Sequence, residues 1–314
     1  MLTGNVLITG GTGSIGNALV KSAKECEWPC HITVLSRDEV KQSRMKRNHP
    51  EVRYILGDVQ NPNDLAIACR NQDIIIHAAA YKQVPSSEVN ALAAINTNVI
   101  GSLNVAQAAV QADVSIVVGI STDKACAPIN LYGKTKATME ALFQHANTWG
   151  DTKFTLCRYG NVVGSRGSII PLFRQQASQG LPLTITDIRM NRFWLSLQEA
   201  VEIILIASVS SPGTIIVPKL KSLTIMELAY VIAPTSPIVD IGIRSGEKID
   251  EHMIHRGEAI HTVDRDNYFE VWPPYSHVQG SFKYGFEYRT DNCIGKLTDD
   301  EMRSMIINSE RYDV

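Results

Sequence analysis

Reactive side chains cluster in the middle of the chain, where residues 121–124 read STDK and residues 132–136 read YGKTK. Tyr132 and Lys136 are four residues apart, so on a helix they share one face, where the lysine charge would lower the pKa of the phenol. A phenol near ionisation is a base for removing a hydroxyl proton. Thr122, Asp123 and Lys124 add a hydrogen-bond donor, an acid and an amine. This exceeds what an alcohol oxidation needs, so the pattern predicts a redox site that also eliminates a group or epimerises a carbon.

Two structural readings compete with this chemistry. Asp123 and Lys124 would also suit a surface ion pair, which contributes less than about 1 kcal/mol. Thr122 would also suit a cap at the end of a strand. The position of all three residues beside the YxxxK pair favours the catalytic interpretation.

A glycine-rich turn predicts a dinucleotide site near the start of the chain. Residues 9–16 read TGGTGSIG, between a predicted strand and a predicted helix. Glycines at 10, 13 and 16 allow a tight turn and the close approach of a pyrophosphate, which the helix N-terminus then faces. The GxxGxxG spacing is typical of the short-chain dehydrogenases/reductases. We expect the cofactor to contact Gly10, Thr12, Gly13, Ser14, Ile15, Gly16, Ser36, Arg37, Lys41, Asp58, Val59, Ala78, Ala79, Ala80, Asn98, Tyr132 and Lys136.

The end of the second predicted strand favours NADP over NAD. An NAD site usually places a carboxylate there for the ribose 2′-hydroxyl, whereas this chain has Ser36 and Arg37. Arg37 and Lys41 suit a 2′-phosphate, although a solvated basic helix face would explain them too. Asp38 is interpreted as a helix cap. Asp58 is expected either to contact adenine or to cap a turn.

The elements that position these residues read as a parallel sheet. The first half of the chain alternates β-branched runs with helical patterns, the signature of βαβ units. Strands are predicted at 5–9, 32–36, 52–56, 74–77, 115–119 and 155–158, and a helix from 88 to 111. We expect an α/β fold, a Rossmann-like doubly wound parallel sheet with a smaller α/β C-terminal substrate lobe. The cofactor domain would cover residues 1–164, with elements near 190–220 returning to it, and residues 165–314 would form mainly the substrate lobe and a cap.

The second half is punctuated by prolines and has shorter elements. Ser196 is predicted to cap a helix through Ala207, and Thr224 a helix through Ile232. Strands are predicted at 214–217 and 238–243. From about residue 268 no period is clear, so this tail is predicted to be a coil-rich cap or an oligomer contact.

Several segments together are more specific than the glycines, among them LITGGTGSIG, HAAAYKQVPSSE, STDKA, INLYGKTK, RYGNVVGSRGSIIP and IGIRSGEK. With these, residues 5–260 resemble the extended short-chain dehydrogenases/reductases, and within them the inverting UDP-N-acetylglucosamine 4,6-dehydratases of pseudaminic acid and capsule sugar synthesis. Retaining relatives have Thr-Asp-Glu where this chain has Thr122, Asp123 and Lys124. Gln83 departs from a histidine of the pseudaminic acid branch and matches the capsular branch, and Ala91 stands where relatives tend to have proline.

The resemblance implies a role for each residue of the cluster. Tyr132 takes the proton of the sugar 4-hydroxyl while hydride passes from carbon 4 to NADP, and Thr122 binds that oxygen. Lys124, with a depressed pKa, removes the carbon 5 proton, and protonated Asp123 helps the carbon 6 hydroxyl leave as water. Hydride then returns to carbon 6, and a proton reaches carbon 5 from the opposite face, which inverts that centre.

The resemblance also implies a UDP-sugar substrate. We expect it to contact Lys82, Asn161, Arg166, Arg192, Arg244 and Glu247. The arginines suit a diphosphate, and Glu247 would bind ribose or uracil or simply orient Arg244. Other readings stay open: a UDP-N-acetylhexosamine 4-epimerase, a retaining or 5,6-ene-forming dehydratase, and a non-catalytic NADP-sensing protein. The stereochemistry at carbon 5 and the downstream glycan pathway stay open as well.

Composition narrows the class of protein. With 314 residues, 44% of them hydrophobic, and a net charge of -2, the chain reads as a soluble globular protein that does not bind nucleic acid. Six cysteines without a CxxC pair indicate reduced thiols and a cytoplasmic location. No apolar run approaches the roughly 18 residues that span a bilayer, so no membrane insertion is expected. The histidines at 252, 255 and 261 lack metal-site spacing, and we expect no metal. Family membership implies a homo-oligomer, dimer or higher.

Overall fold

A computed structural model describes residues 1–165 and 167–312. Its main sheet begins with six parallel strands, β1 (Gly4–Thr9), β2 (Cys30–Ser36), β3 (Arg53–Leu56), β4 (Ile74–His77), β5 (Ile116–Ile120) and β6 (Lys153–Cys157). They lie in the order β6-β5-β4-β1-β2-β3. The central strands are apolar and buried on both faces, with Val6, Leu7 and Ile8 fully inaccessible, as expected for a parallel sheet covered by helices, whereas the edge strand β3 is partly exposed. The predicted doubly wound fold is confirmed.

Helices connect these strands, namely α1 (Ser14–Glu25), α2 (Glu39–Asn48), α3 (Pro62–Ala68), α4 (Val84–Val89), α5 (Ala91–Ile95), α6 (Gly101–Gln111) and α7 (Leu131–Ala146). The chain moves outward from β1 in both directions with right-handed crossovers, so α1 and α6 cover opposite faces. The predicted helix at 88–111 is helical in four pieces, because Asn90 departs from helical geometry and residues Asn96–Ile100 form a π-helical turn. The direction of winding reverses between β1 and β4, which opens a crevice at the carboxyl edge of the sheet.

The remaining strands are β7 (Asn161–Val162), β8 (Leu183–Ile185), β9 (Asn191–Leu195), β10 (Ile215–Pro218), β11 (Ser222–Thr224), β12 (Ile238–Asp240), β13 (His252–Ile254), β14 (Thr262–Asp264), β15 (Tyr268–Val271) and β16 (Tyr288–Arg289). The predicted return of later elements is seen at β10, which pairs parallel to β6. The return goes further than expected, since β15 pairs antiparallel to β10 and β14 to β15. The start of the predicted coil-rich tail is thus an ordered part of the main sheet.

A smaller lobe has its own apolar core, built from α8 (Ile169–Ser178), α10 (Ile225–Ile232), α11 (Asp299–Ser309) and short sheets β11-β9-β7 and β12-β8. Phe173 and Leu228 are fully buried in it. Ser196 caps α9 (Leu197–Val209) and Thr224 caps α10, each through a capping box with a glutamate three residues on, so both predicted caps are confirmed. Within residues 1–165 and 167–312, no helix is long and apolar enough to cross a membrane.

A buried ion-pair network fastens the later chain to the main sheet. The Arg158 guanidinium, just beyond β6, bonds both carboxylate oxygens of Glu140 on α7, at 2.7 and 3.0 Å. It also bonds both oxygens of Glu258, at 2.8 and 3.0 Å, and the Met253 carbonyl at 2.8 Å. Glu140 in turn accepts a hydrogen bond from Ser121 Oγ, at 2.5 Å. The end of β5 and the segment 253–258 are therefore held by one guanidinium.

Candidate active site

A cavity of about 850 Å³ occupies the carboxyl edge of the main sheet and extends toward the smaller lobe. The residues at 122–124, 132 and 136 line it together with the glycine-rich turn. All the residues predicted for the cofactor line it except Asn98. The predicted substrate residues Lys82, Asn161, Arg192, Arg244 and Glu247 line it too. Arg166 lies outside the described residues.

The glycine-rich turn has the close backbone packing and the uncapped helix start that suit a bound dinucleotide. Gly10 adopts φ +65°, and a Cβ there would lie 2.7 Å from Ala79 Cα. A Cβ on Gly16 would lie 2.0 Å from the Gly11 carbonyl oxygen, so only glycine allows the turn to pack against α1. Gly13 precedes the helix and has no side chain to accept hydrogen bonds from its first turn. The N-terminus of α1 is left to face the cavity, as an anion site requires.

Basic and acidic groups meet at the end of β2. Arg37 is 60% exposed and lies 3.5 Å from Asp58 Oδ2. Asp38 caps α2 by accepting the Lys41 N–H at 2.9 Å, which confirms its predicted role. It also bonds Lys41 Nζ at 2.6 Å. Asp58 Oδ1 accepts the Gln60 N–H, so it caps a turn while it faces the cavity.

Asn98 supports the cofactor site from behind. Its side chain accepts the Tyr81 N–H at 2.7 Å and donates to the Tyr81 carbonyl at 2.9 Å. It also donates to Thr135 Oγ1 on α7, at 3.0 Å. It is 1% exposed and does not line the cavity. Asn98 therefore fixes the loop that follows Ala80 instead of facing the cofactor.

The YxxxK pair lies on the first turns of α7. The helix begins after Asn130, whose side chain accepts the Gly133 N–H at 2.8 Å. Burial raises the pKa of Tyr132 to about 12, although Lys124 and a hydrogen bond with Thr122 act in the opposite direction. Burial lowers the pKa of Lys136 to about 8. Lys136 Nζ contacts Met139 Sδ at 2.9 Å, so its predicted effect on Tyr132 stays a prediction.

Asp123 is buried and Lys124 is partly buried, with 22% of its side chain exposed, so the two form an ion pair at the cavity and not on the open surface. Lys124 Nζ donates to Asp123 Oδ1 at 3.0 Å, as does Thr122 Oγ1 at 2.9 Å. Asp123 is fully inaccessible, and its Oδ2 has no hydrogen-bond partner in the described part of the chain. Burial raises its pKa and outweighs the opposing charge of Lys124. Such a carboxyl is suited to carry a proton and donate it into the cavity.

The predicted depression of the Lys124 pKa is wrong for this substrate-free chain. Burial disfavours the ammonium, but the carboxylates of Asp123 and Glu251 outweigh burial and raise the pKa of Lys124. Glu251 Oε1 lies 3.4 Å from Lys124 Nζ and Glu251 lines the cavity. Sequence reasoning missed Glu251, because it lies 127 positions after Lys124 in a run of mixed charges, EKIDEH. The one available signal was its place immediately before the apolar strand β13.

The predicted substrate residues take different positions. Arg192 is buried and donates to the carbonyls of Asn191, Lys248 and Ile249, so it secures the segment before Glu251. Arg244 is exposed, and the Glu247 carboxylate accepts its backbone N–H at 3.1 Å; the role predicted for Glu247 toward the Arg244 side chain stays a prediction. Within the ranges 1–165 and 167–312, no group of three His, Cys, Asp or Glu residues could hold a metal ion.

The chain matches the family described as polysaccharide biosynthesis protein over residues 6–273. It belongs to that family. A relative from Campylobacter jejuni is named UDP-N-acetylglucosamine 4,6-dehydratase (inverting). It is 40% identical to this chain, and the match covers 98% of each chain. Another in Rickettsia bellii, named UDP-glucose 4-epimerase, is 41% identical over 96% of this chain and 95% of its own.

Solved structures agree with this assignment. Pen from Bacillus thuringiensis superposes on this chain with a TM-score of 0.90, at 32% identity and with 98% of each chain covered. DesIV of Streptomyces venezuelae, a dTDP-glucose 4,6-dehydratase solved with NAD and TYD bound, gives a TM-score of 0.69 at 26% identity, over 78% of this chain and 86% of its own. The predicted resemblance to extended short-chain dehydrogenases/reductases is confirmed.

Proposed function

We propose that this protein is a UDP-N-acetylglucosamine 4,6-dehydratase that inverts carbon 5. The single observation that carries the proposal is the ion pair of buried Asp123 and partly buried Lys124 beside Tyr132 in one cavity. A 4-epimerase needs the tyrosine but no second acid and base, so the burial of Asp123 would be an unexplained cost there. The 40% identical relative named as an inverting dehydratase supports the same choice.

A nicotinamide cofactor would be held by the glycine turn, the end of β2 and the loop after β4. When bound, it supplies the redox chemistry, accepting hydride from carbon 4 and giving it back at carbon 6. NADP is favoured over NAD because Arg37 and Lys41 line the cavity at the end of β2, where NAD enzymes usually have a carboxylate. Asp58 faces the same region, and its ion pair with Arg37 would hold the guanidinium in place.

Tyr132 acts first, as the base for the sugar 4-hydroxyl. Because burial raises the pKa of Tyr132, its phenol is neutral at neutral pH. Positive charge near the oxygen favours the phenolate, and the structure already supplies Lys124 on this side. The Thr122 side chain hydrogen-bonds the Tyr132 phenol, and it is placed to donate to the sugar oxygen at carbon 4. The product of this step is a 4-keto sugar.

Elimination then needs one neutral amine and one neutral carboxylic acid. Lys124 and Asp123 reach that state if a single proton moves from Nζ to Oδ1 along their 3.0 Å hydrogen bond. No proton is exchanged with water; the raised pKa of buried Asp123 favours this transfer, whereas the raised pKa of Lys124 opposes it. Lys124 Nζ takes the proton from carbon 5, and the electron pair of that bond forms an enolate with the ketone. Asp123 gives its proton to the carbon 6 oxygen, which leaves as water, and a carbon 5–carbon 6 double bond forms.

The experiment is proton NMR of UDP-N-acetylglucosamine with the enzyme in deuterated water, with catalytic NADP and no other reductant. A new methyl signal, deuterium at carbon 5 and L-arabino coupling constants are expected for inverting dehydration. The variant Asp123→Asn is the matched control, and it should abolish the methyl signal. Signals of UDP-N-acetylgalactosamine without a methyl signal would establish a 4-epimerase instead. The Rickettsia bellii relative named UDP-glucose 4-epimerase is the reason to test this alternative.

The proposal also includes the choice of cofactor, the biosynthetic branch, the oligomeric state and the location. Parallel reactions with NAD and NADP test the cofactor. The capsular branch is favoured over the pseudaminic acid branch by Gln83, which lines the cavity. A homo-oligomer and a cytoplasmic location stay predictions, and light scattering tests the first.

A further inference from the structure

Glu251 is a buried carboxylate with three cations close to it, namely Lys124, Arg192 and Lys248. It is 2% exposed, and its Oε1 lies 3.4 Å from Lys124 Nζ. Its Oε2 has no hydrogen-bond partner among the residues described. Arg192 Nε and Lys248 Nζ lie 3.9 and 3.8 Å from its oxygens, too far for hydrogen bonds. A buried charge in this state is costly, which points to a role in the cavity that it lines.

The fold holds Glu251 firmly in that place. Its backbone exchanges hydrogen bonds with Thr290, whose Oγ1 accepts the Glu251 N–H at 3.2 Å and whose N–H donates to the Glu251 carbonyl at 3.0 Å. Asn191 at the start of β9 donates to the Thr290 carbonyl at 2.9 Å. Glu251 is thus held directly before β13 by Thr290, which follows β16. Its carboxylate reaches Lys124 from this two-stranded sheet, while Asp123 reaches it from beyond the end of β5 in the main sheet.

We propose that Glu251 is a positioning residue for the carbon 5 proton transfer: it holds Lys124 beside Asp123 and stabilises the ammonium that forms when Lys124 takes the proton. The inference rests on the proposed dehydratase function. The proton moves from carbon 5 to Lys124 Nζ, and the electron pair stays with the sugar as the enolate. Glu251 gains and loses no proton, so it need not touch the substrate. Its negative charge opposes the neutral amine before the transfer and favours the ammonium after it, which makes Lys124 a stronger base.

The sign of the electrostatic effect follows from all the charged groups around Lys124. Asp123 and Glu251 favour its ammonium, whereas Arg192 opposes it. Glu251 itself is faced by Lys124, Arg192 and Lys248, which outweigh burial and keep its pKa low. His252 and Tyr132 are the further titratable neighbours. Removing the charge of Glu251 should therefore lower the pKa of Lys124, which by itself enlarges the neutral fraction of the amine, so the expected loss of exchange comes from the lost positioning of Lys124 Nζ.

The test compares Glu251→Gln with wild type by two measurements. The first separates the steps: deuterium exchange at carbon 5 should fall about 10- to 100-fold, while oxidation at carbon 4 changes less than about twofold. The second needs no turnover. Acetic anhydride acylates only the neutral amine, so the pH at which Lys124 is labelled, read by peptide mass spectrometry, should fall by about one unit. Glu270→Gln is the matched control, because Glu270 is also buried and ion-paired but lies on β15 away from the cavity.

Each outcome decides the inference. Exchange and labelling equal to those of Glu270→Gln would overturn it, and so would equal losses at carbon 4 and carbon 5 with an unshifted labelling curve, the pattern of a distorted fold. If Glu251→Gln does not fold, Glu251→Asp keeps the charge and should give an intermediate loss of exchange with a smaller shift of the labelling curve, and an unchanged enzyme would again overturn it. A wild-type enzyme that makes no 4-keto product contradicts the proposed function instead. The labelling curves then still decide whether Glu251 governs the protonation of Lys124.

Discussion

Replacing Arg158 with methionine tests whether the buried ion-pair network holds the segment 253–258 against the main sheet. Arg158 is 2% exposed and makes two bonds to each of Glu140 and Glu258. Methionine keeps much of the side-chain volume but removes the charge. Two carboxylates then stay behind, one of them buried on α7 and one partly exposed. We expect a large loss of stability together with a loss of order at the segment 253–258.

The structure sets the size of this loss. Removing one partner of a buried ion pair costs about 3–5 kcal/mol, because the other charge is left uncompensated. Glu140 keeps its bond from Ser121, and Glu258 keeps the His255 N–H and is partly exposed, so we take the lower end of this range, about 3 kcal/mol, for the network as a whole. The lost bond to the Met253 carbonyl adds about 1 kcal/mol. A total near 4 kcal/mol corresponds to a fall in Tm of about 8 °C for a chain of this size.

The assay is thermal unfolding followed by circular dichroism, with Tm compared because a chain with two cores need not unfold in one step. Arg189→Met is the control: the Arg189 guanidinium is 70% exposed and pairs with Asp187 at the surface, so its loss should leave Tm nearly unchanged. Adding Glu140→Gln and Glu258→Gln to Arg158→Met should restore about half of the loss. Equal falls in Tm for Arg158→Met and Arg189→Met would refute the reasoning, because the buried network would then contribute no more stability than an exposed ion pair.

The same network fixes a pH dependence. Burial disfavours ionised Glu258, but Arg158 outweighs it and lowers the pKa of this carboxyl below its ordinary value of 4.5. A depressed folded pKa contributes stability that is complete above the unfolded value and is lost as the pH falls through the folded one. The difference in Tm between wild type and Arg158→Met should therefore narrow below about pH 4.5. A difference that stays constant from neutral to acidic pH would contradict this assignment.

Three further substitutions test the site. Lys124→Ala should leave cofactor binding intact and slow deuterium exchange at carbon 5 by about 100-fold or more, and unimpaired exchange would remove the lysine from its role. Tyr132→Phe should abolish the transient absorbance of reduced nicotinamide, because the 4-hydroxyl proton has no acceptor; oxidation at the wild-type rate would disprove this. Arg37→Ala should weaken NADP binding about 10- to 100-fold in calorimetry and NAD binding less than about twofold, and equal losses would count against the cofactor preference.

Local patterns made much of the fold predictable from sequence. The six strands of the first half lie within a few residues of their predicted bounds, since short apolar runs between turn signals identify buried strands. The caps at Ser196 and Thr224 were readable because a capping box involves only four neighbouring residues. The pairing of β14 and β15 with β10 was not readable. Nothing in a three-residue strand such as β14 states which distant edge it will join, and the edge of β10 became available only through the tertiary fold.

The same division runs through the site. Asp123, Lys124, Tyr132 and Lys136 lie within 14 positions of each other, so their chemistry was visible as a motif. The charges that set how those residues behave come from afar. Asp123 and Glu251 together reverse the pKa shift predicted for Lys124, and the motif contains only the first of these carboxylates. A motif therefore indicates which groups react, whereas the proton affinity of each group depends on the buried charges around it. In the mechanism that we propose, Lys124 becomes a base only when Asp123 accepts its proton, and Glu251 stabilises the ammonium that forms when Lys124 takes a proton from the sugar.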